Sequence, residues 1–167
     1  MRRSVEKYCQ LGLEMGLSHV VSLGPEQVFF DPRARLKCRW GCEDFHQPTI
    51  KCGSRGLSHA ECVEMINRYS DILLLHGHDA HVLSKAVLAL EAAAFHEGHY
   101  FAFGVRACKL CPSCAVDQGK ECIQPEKVRP CDQAMGIDMY IAQPGRRACP
   151  SGCCRARTKN RTATAWC

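Results

Sequence analysis

Asp71-Ile72-Leu73-Leu74-Leu75-His76-Gly77, followed within a few residues by the stretch His81 to Glu97, decides the fold. Four consecutive apolar residues bounded by Asp71 and His76 have the pattern of a buried strand. In the next stretch Val82, Ala86, Leu90 and Ala93 fall on one helical face, Leu83, Val87 and Ala94 widen it, and Gly98 stops it. Upstream, Ser58-x-x-Glu61 is a capping box that opens a helix through Cys62-Val63-Glu64-Met65-Ile66. Further back, Ser18–Leu23 and Val28–Phe30 read as strands around a Gly24-Pro25 turn, and Val5–Met15 as an amphipathic helix ended by Gly16. Downstream, His99–Phe103 reads as a strand, Pro130–Met135 as a short helical turn and Ile137–Ile141 as a strand. Helices alternating with strands predict an α/β fold over residues 1–144. The expectation is a single small domain, a mixed sheet with flanking helices and cysteine-rich metal-binding loops.

The chain has 167 residues and is 46% hydrophobic, enough for one real core. It contains no run of about 18 apolar residues that would span a membrane, and its N-terminus carries no secretory pattern. Fourteen cysteines without an export signal point to the cytoplasm, where thiols stay reduced and cysteine clusters bind metal more often than they form disulfides. The net charge of +5 misleads. Six of the 22 Lys and Arg residues lie from Gly145 onward with no acid among them, leaving 16 against 17 acids in the body. The body therefore lacks a basic footprint for nucleic acid.

Cys108, Cys111, Cys114 and Cys122 form C-x2-C-x2-C-x7-C, followed by Pro125. Thiolate sulfur is soft and electron-rich, and two-residue gaps let successive sulfurs converge from one turning loop onto an inorganic centre. Zinc sites more often use two C-x2-C pairs far apart, so the run favours an iron–sulfur cluster of the [4Fe-4S] type, with zinc as the alternative. The first three ligands are the stronger signal. For the fourth, Cys122 is favoured and Cys131 competes.

A second group, Cys38-x3-Cys42-x9-Cys52, lies in a stretch from Cys38 to Gly56 that reads as irregular. A metal there would order a loop without an apolar core of its own, with Cys62, Cys131 or His46 as fourth ligand. The bland alternative is that these thiols support loop packing. Smaller signals weigh less. His76-x-His78-x2-His81 has zinc- or nickel-ligand chemistry, though such clusters are more often solvated loops. Glu91 in the alanine-rich helix reads as solvent-facing, and Cys9 as a packed thiol. No phosphate loop, dinucleotide fingerprint or nucleophile motif is present.

These residues resemble a family described only as predicted metal-binding proteins, a cysteine-rich domain of unknown function common in anaerobic bacteria and archaea. The resemblance is carried by Leu36-Lys37-Cys38 with Cys42 and Cys52, and by Leu90-Glu91 with Phe95 and Gly98-His99-Tyr100. It continues through the Cys108 run to Pro125, Arg129-Pro130 and Gly136-Ile137-Asp138, and spans about residues 5 to 142. It implies a metal site at those cysteines and no established reaction. The chain departs from the pattern after Cys52, where Gly53-Ser54 stand in place of two prolines.

Three functions follow as expectations. The first is an iron–sulfur protein that transfers electrons to a redox partner protein or plays an accessory role in anaerobic metabolism. The second is a zinc-stabilised interaction module. The third is an enzyme with an open-position cluster at the upstream loop; with no general base in the sequence, catalytic residues stay unassigned. Residues 145–167 form an atypical basic tail with four further cysteines, Cys149, Cys153, Cys154 and Cys167. A reading-frame shift near residues 144–146 would explain it, because Cys and Trp codons read one register away give apolar residues where a closing strand needs them.

Overall fold

Four apolar side chains in a row are all buried when a strand is covered on both faces, and Ile72–Leu75 lie in such a strand. The computed structural model describes residues 2–42, 50, 52, 56–139, 154–155 and 163–166. Among them the helices are α1 (Arg2–Glu14), α2 (Ala34–Gly41), α3 (His59–Asn67), α4 (Ala80–His96) and α5 (Asp132–Met135). The strands are β1 (His19–Leu23), β2 (Ile72–Gly77), β3 (Cys154–Arg155) and β4 (Ala163–Trp166), ordered β3-β1-β2-β4 in one sheet.

Side chains alternate across a strand, and the two faces of β1 and β2 feed two separate cores. Val21, Leu23, Ile72 and Leu74 pack with Cys62 and Ile66 of α3 and with Val28, Val105, Met135 and Ile137. Val20, Leu73 and Leu75 pack with Tyr8 and Cys9 of α1 and with Leu83, Ala86, Val87 and Leu90 of α4. Burying a Leu or Val side chain contributes roughly 1.5–3 kcal/mol, so these two layers fix where α4 lies. Local chemistry sets the helix starts. Asp79 accepts from His81 N at 2.7 Å and Val82 N at 2.9 Å at the head of α4. Ser58 and Glu61 form the expected capping box on α3.

The α/β class and the small single fold stand, as do α1, β1, β2, α3, α4 and the helical turn of α5. Strand direction differs from the expected mixed sheet, since every described pairing is antiparallel. A continuous apolar run reports two covered faces and does not report which way the neighbour runs. Two expected strands are not ladders. Val28–Phe30 follows a 3-10 turn, and only Phe30 bridges, to Ile137. His99–Phe103 turns at the surface, with Ala102 N donating to His99 O at 2.8 Å and Tyr100 and Phe101 exposed. The free edges of β1 and β2 are already taken by β3 and β4. Those two strands come from the tail expected to be coreless; their backbones pair with β1 and β2. Beyond Met139 the expected Ile137–Ile141 strand lies outside the described residues, as do His46, Gly53-Ser54, Cys149, Cys153 and Cys167.

Candidate metal centre

The chain leaves α4 at Gly98, where φ of 94° lets the helix end in a left-handed turn. It returns along that helix through buried Gly104 and Val105. A Cβ at Gly104 would collide with the Val87 side chain of α4, so only glycine allows this close approach. From here the cysteine loop is pinned at its neck. Arg106 N donates to Pro130 O at 2.8 Å, joining the loop's entry to its exit.

Helix α4 supplies the remaining anchors along one edge. Glu91 Oε2 accepts from Gly104 N at 2.6 Å and from Arg129 Nε at 2.8 Å, while Arg129 Nη2 bonds the other carboxylate oxygen. Both side chains are shielded, at 17% exposure for Arg129 and 14% for Glu91, so the pair is well screened from water. Arg129 also stacks over the Phe103 ring, 5.4 Å from its centroid. Nearer the start of α4, Ser84 Oγ accepts from Lys109 N at 3.2 Å, and His81 Nδ1 donates to Lys109 O at 3.2 Å. Both backbone polar groups of Lys109, the residue after Cys108, are thus satisfied by α4 side chains.

Within the loop, 3-10 turns at Val116–Gln118 and Pro125–Lys127 fold the chain back on itself, and Gly119 closes the first with φ of 73°. The result is one cavity of about 120 Å³, lined by Cys108, Cys111, Cys114 and Cys122. Leu110, Pro112, Val116 and Val128 form its apolar wall. All four thiols are half-buried. Gln124 Nε2 donates to Cys111 Sγ at 3.8 Å. The volume lies well below the ~300–1,000 Å³ of pockets that take organic ligands, and a donor set of four thiols, with the Asp117 carboxylate also in the lining, suits a soft metal or an iron–sulfur centre.

Cys131 does not line that cavity. It sits at the start of α5, where its Sγ–H donates to Asp132 Oδ1 at 3.2 Å. Burial, then the Asp132 carboxylate, pushes its thiol up to about 12. The upstream thiols stand on different local structures. Cys38 is buried on α2, Cys42 caps that helix's C-terminus and Cys52 is half-buried beyond it. Cys38 therefore stands on a helix, where irregular chain was expected. Asp31 and Pro32 open the turn that leads into α2, with Ala34 N donating to Asp31 O at 2.9 Å. Because α2 packs on α5, Cys131 lies on the element adjoining the upstream group. Cys62, one of the expected alternatives for that group's fourth ligand, is fully buried on the core face of α3. Among the described residues no three or more His, Cys, Asp or Glu side chains form a group close enough to hold a metal ion.

The comparisons with known proteins add one finding. The family model described as "Predicted metal-binding protein (DUF2284)" matches residues 21–143. This chain belongs to that family. No curated protein and no solved structure matches it. For a member of the predicted metal-binding proteins, the matched span is informative, because it contains both cysteine groups and the whole α4 scaffold.

Sequence reading missed most of that scaffold. Glu91 was expected to face solvent, yet it clamps the loop's neck; its isolation as an acid among alanines, and the Arg129-Pro130 pair, were the available signals. The three histidines do not act together. His76 is buried in β2 with its Nδ1 3.1 Å from Ser18 Oγ, and burial, then His19 and His78, lowers its pKa. His81 instead holds the cysteine loop.

Proposed function

We propose that this metal-binding protein holds an iron–sulfur cluster of the [4Fe-4S] type on Cys108, Cys111, Cys114 and Cys122. The observation that carries the reading is that these four thiols, and no other cysteine among the described residues, line one small cavity with an apolar wall. Bound there, such a centre supplies one-electron transfer. The protein's own part is to hold the thiols and set their surroundings. The Lys109 anchors fix the loop beside Cys108. The Gln124 amide offers an N–H to the Cys111 sulfur, and such bonds tune cluster potential. We assign it an electron-transfer or accessory role toward a redox partner protein in a reducing cytoplasm; the ten cysteines whose side chains are described are free thiols, which supports that compartment.

The test is anaerobic reconstitution with ferrous iron and sulfide. Wild-type protein is expected to develop the broad visible absorption of a cluster that dithionite bleaches, and Cys111→Ser to lose it. A variant with unchanged iron, sulfide and absorption contradicts the ligand assignment.

A further inference from the structure

A cavity of about 510 Å³ opens at the end of the sheet where β2 begins, and no cysteine lines it. It lies where the two cores meet. Ile66, Ile72 and Val105 come to it from one core and Leu73 and Leu90 from the other, and all five are buried. Helix α1 contributes Tyr8, α4 contributes Ala94, and the turn after Gly98 contributes Tyr100, Phe101 and Phe103. The volume falls within the ~300–1,000 Å³ of pockets that take organic ligands. Tyr100 and Phe101 are 70% and 74% exposed, with ring centroids 4.5 Å apart. Adjoining large rings left in water beside a pocket mark a binding surface.

The lining also selects the chemistry of what enters. Among the described residues Arg68 is the one lysine or arginine in it, and its Nη2 is held by Glu64 Oε1 at 2.6 Å. Two carboxylates line the cavity: Glu91, whose oxygens are bonded to Gly104 and Arg129, and exposed Asp71. A buried anion needs a paired cation, and here it would meet carboxylates instead. The two phenols have spent their protons. Tyr8 OH donates to Glu97 Oε2 at 2.9 Å and Tyr69 OH to Phe101 O at 2.8 Å, which leaves each oxygen as an acceptor. We propose that this cavity binds an uncharged aromatic small molecule bearing a hydroxyl or N–H donor, its ring against Phe101, Phe103 and the apolar floor and its donor bonded to a tyrosine oxygen. The site goes beyond the metal reading and does not rest on it. It adjoins the same scaffold, since Glu91, Phe103 and Val105 line it and the chain runs on from Val105 to Cys108.

The experiment is calorimetric titration of the full chain, purified without oxygen, with 1-naphthol and with 1-naphthoate at pH 8, where a free imidazole such as that of His99 is uncharged. The two probes share a ring system and differ in donor and charge. Wild type is expected to bind 1-naphthol saturably at one site per chain, and 1-naphthoate at least about tenfold more weakly, because its carboxylate would be desolvated without a cation. Ala94→Leu adds bulk to the cavity on a helix that favours leucine, and Ala102→Leu adds it from the turn. Overfilling a packed site carries a cost equivalent to about a tenfold or greater loss of affinity, so each variant is expected to lose 1-naphthol binding by that factor while its melting temperature stays near that of wild type. Ala92→Leu, on the exposed part of α4 outside the cavity, is expected to bind as wild type does. No saturable 1-naphthol binding overturns the proposal, as does 1-naphthoate binding equally well. Wild-type affinity in A94L and A102L overturns the location. If one of them fails to fold, the other decides. The iron and sulfide content of the protein enters none of these readouts, so failure of the cluster reading and failure of this one are told apart.

Discussion

The downstream and upstream cysteine groups begin as equals in sequence, each with three or more thiols within about fifteen residues, and the fold treats them differently. The downstream loop is held at three heights by α4: His81 and Ser84 at Lys109, and Glu91 at Gly104 and Arg129. Its four thiols share one cavity. The upstream thiols are distributed over the body of α2, its C-cap and a position beyond it, with Cys131 on the neighbouring α5. The contrast teaches that bringing thiols to one cavity depends on the scaffold behind a loop as much as on cysteine spacing. A two-residue gap permits convergence; buried anchors on a rigid helix hold it.

The comparison breaks most sharply at the fourth ligand. Cys122→Ser is expected to cost the reconstituted protein most of its iron, whereas Cys131→Ser, outside the cavity, leaves the downstream absorption in place. Equal losses from the two would mean that the groups form one shared site. Next in size is the neck. Glu91→Ala takes the carboxylate from Arg129 in a poorly solvated position, leaving its bonds to the Glu126 and Val128 carbonyls, and breaking a buried pair typically costs up to about 3–5 kcal/mol. Chemical denaturation of the metal-free protein reads this directly. Replacing both partners together by apolar residues should recover much of the loss, and a Glu91→Ala change near zero would remove the neck from the account. Smaller still is the anchor at Lys109. Ser84→Ala removes one hydrogen bond, worth about 1 kcal/mol. Its signature is faster iron loss with little change in global melting, whereas the same substitution at exposed Ser113 in the loop should change neither.

Much of this was legible in the sequence because it is local. The Ser58 capping box, the Ile72–Leu75 run, the 3.6-residue stripe of α4 and the Cys108 spacing each announce themselves within a few residues. What stayed hidden depends on distant partners. Glu91 and Arg129 are 38 positions apart, and a lone acid in an alanine-rich helix looks the same whether it meets water or an arginine. His99–Phe103 has strand composition, but the sheet has no edge left for it beside β1 or β2. In α2 the signal was present in Asp31-Pro32 and was outweighed by the cysteines that follow.

The most direct test of the central claim is metal and sulfide analysis of the full chain purified without oxygen. The account predicts a brown protein carrying about four iron and about four acid-labile sulfide per chain at the Cys108 loop, and loss of both in Cys111→Ser. A colourless protein with zinc and no sulfide would contradict it.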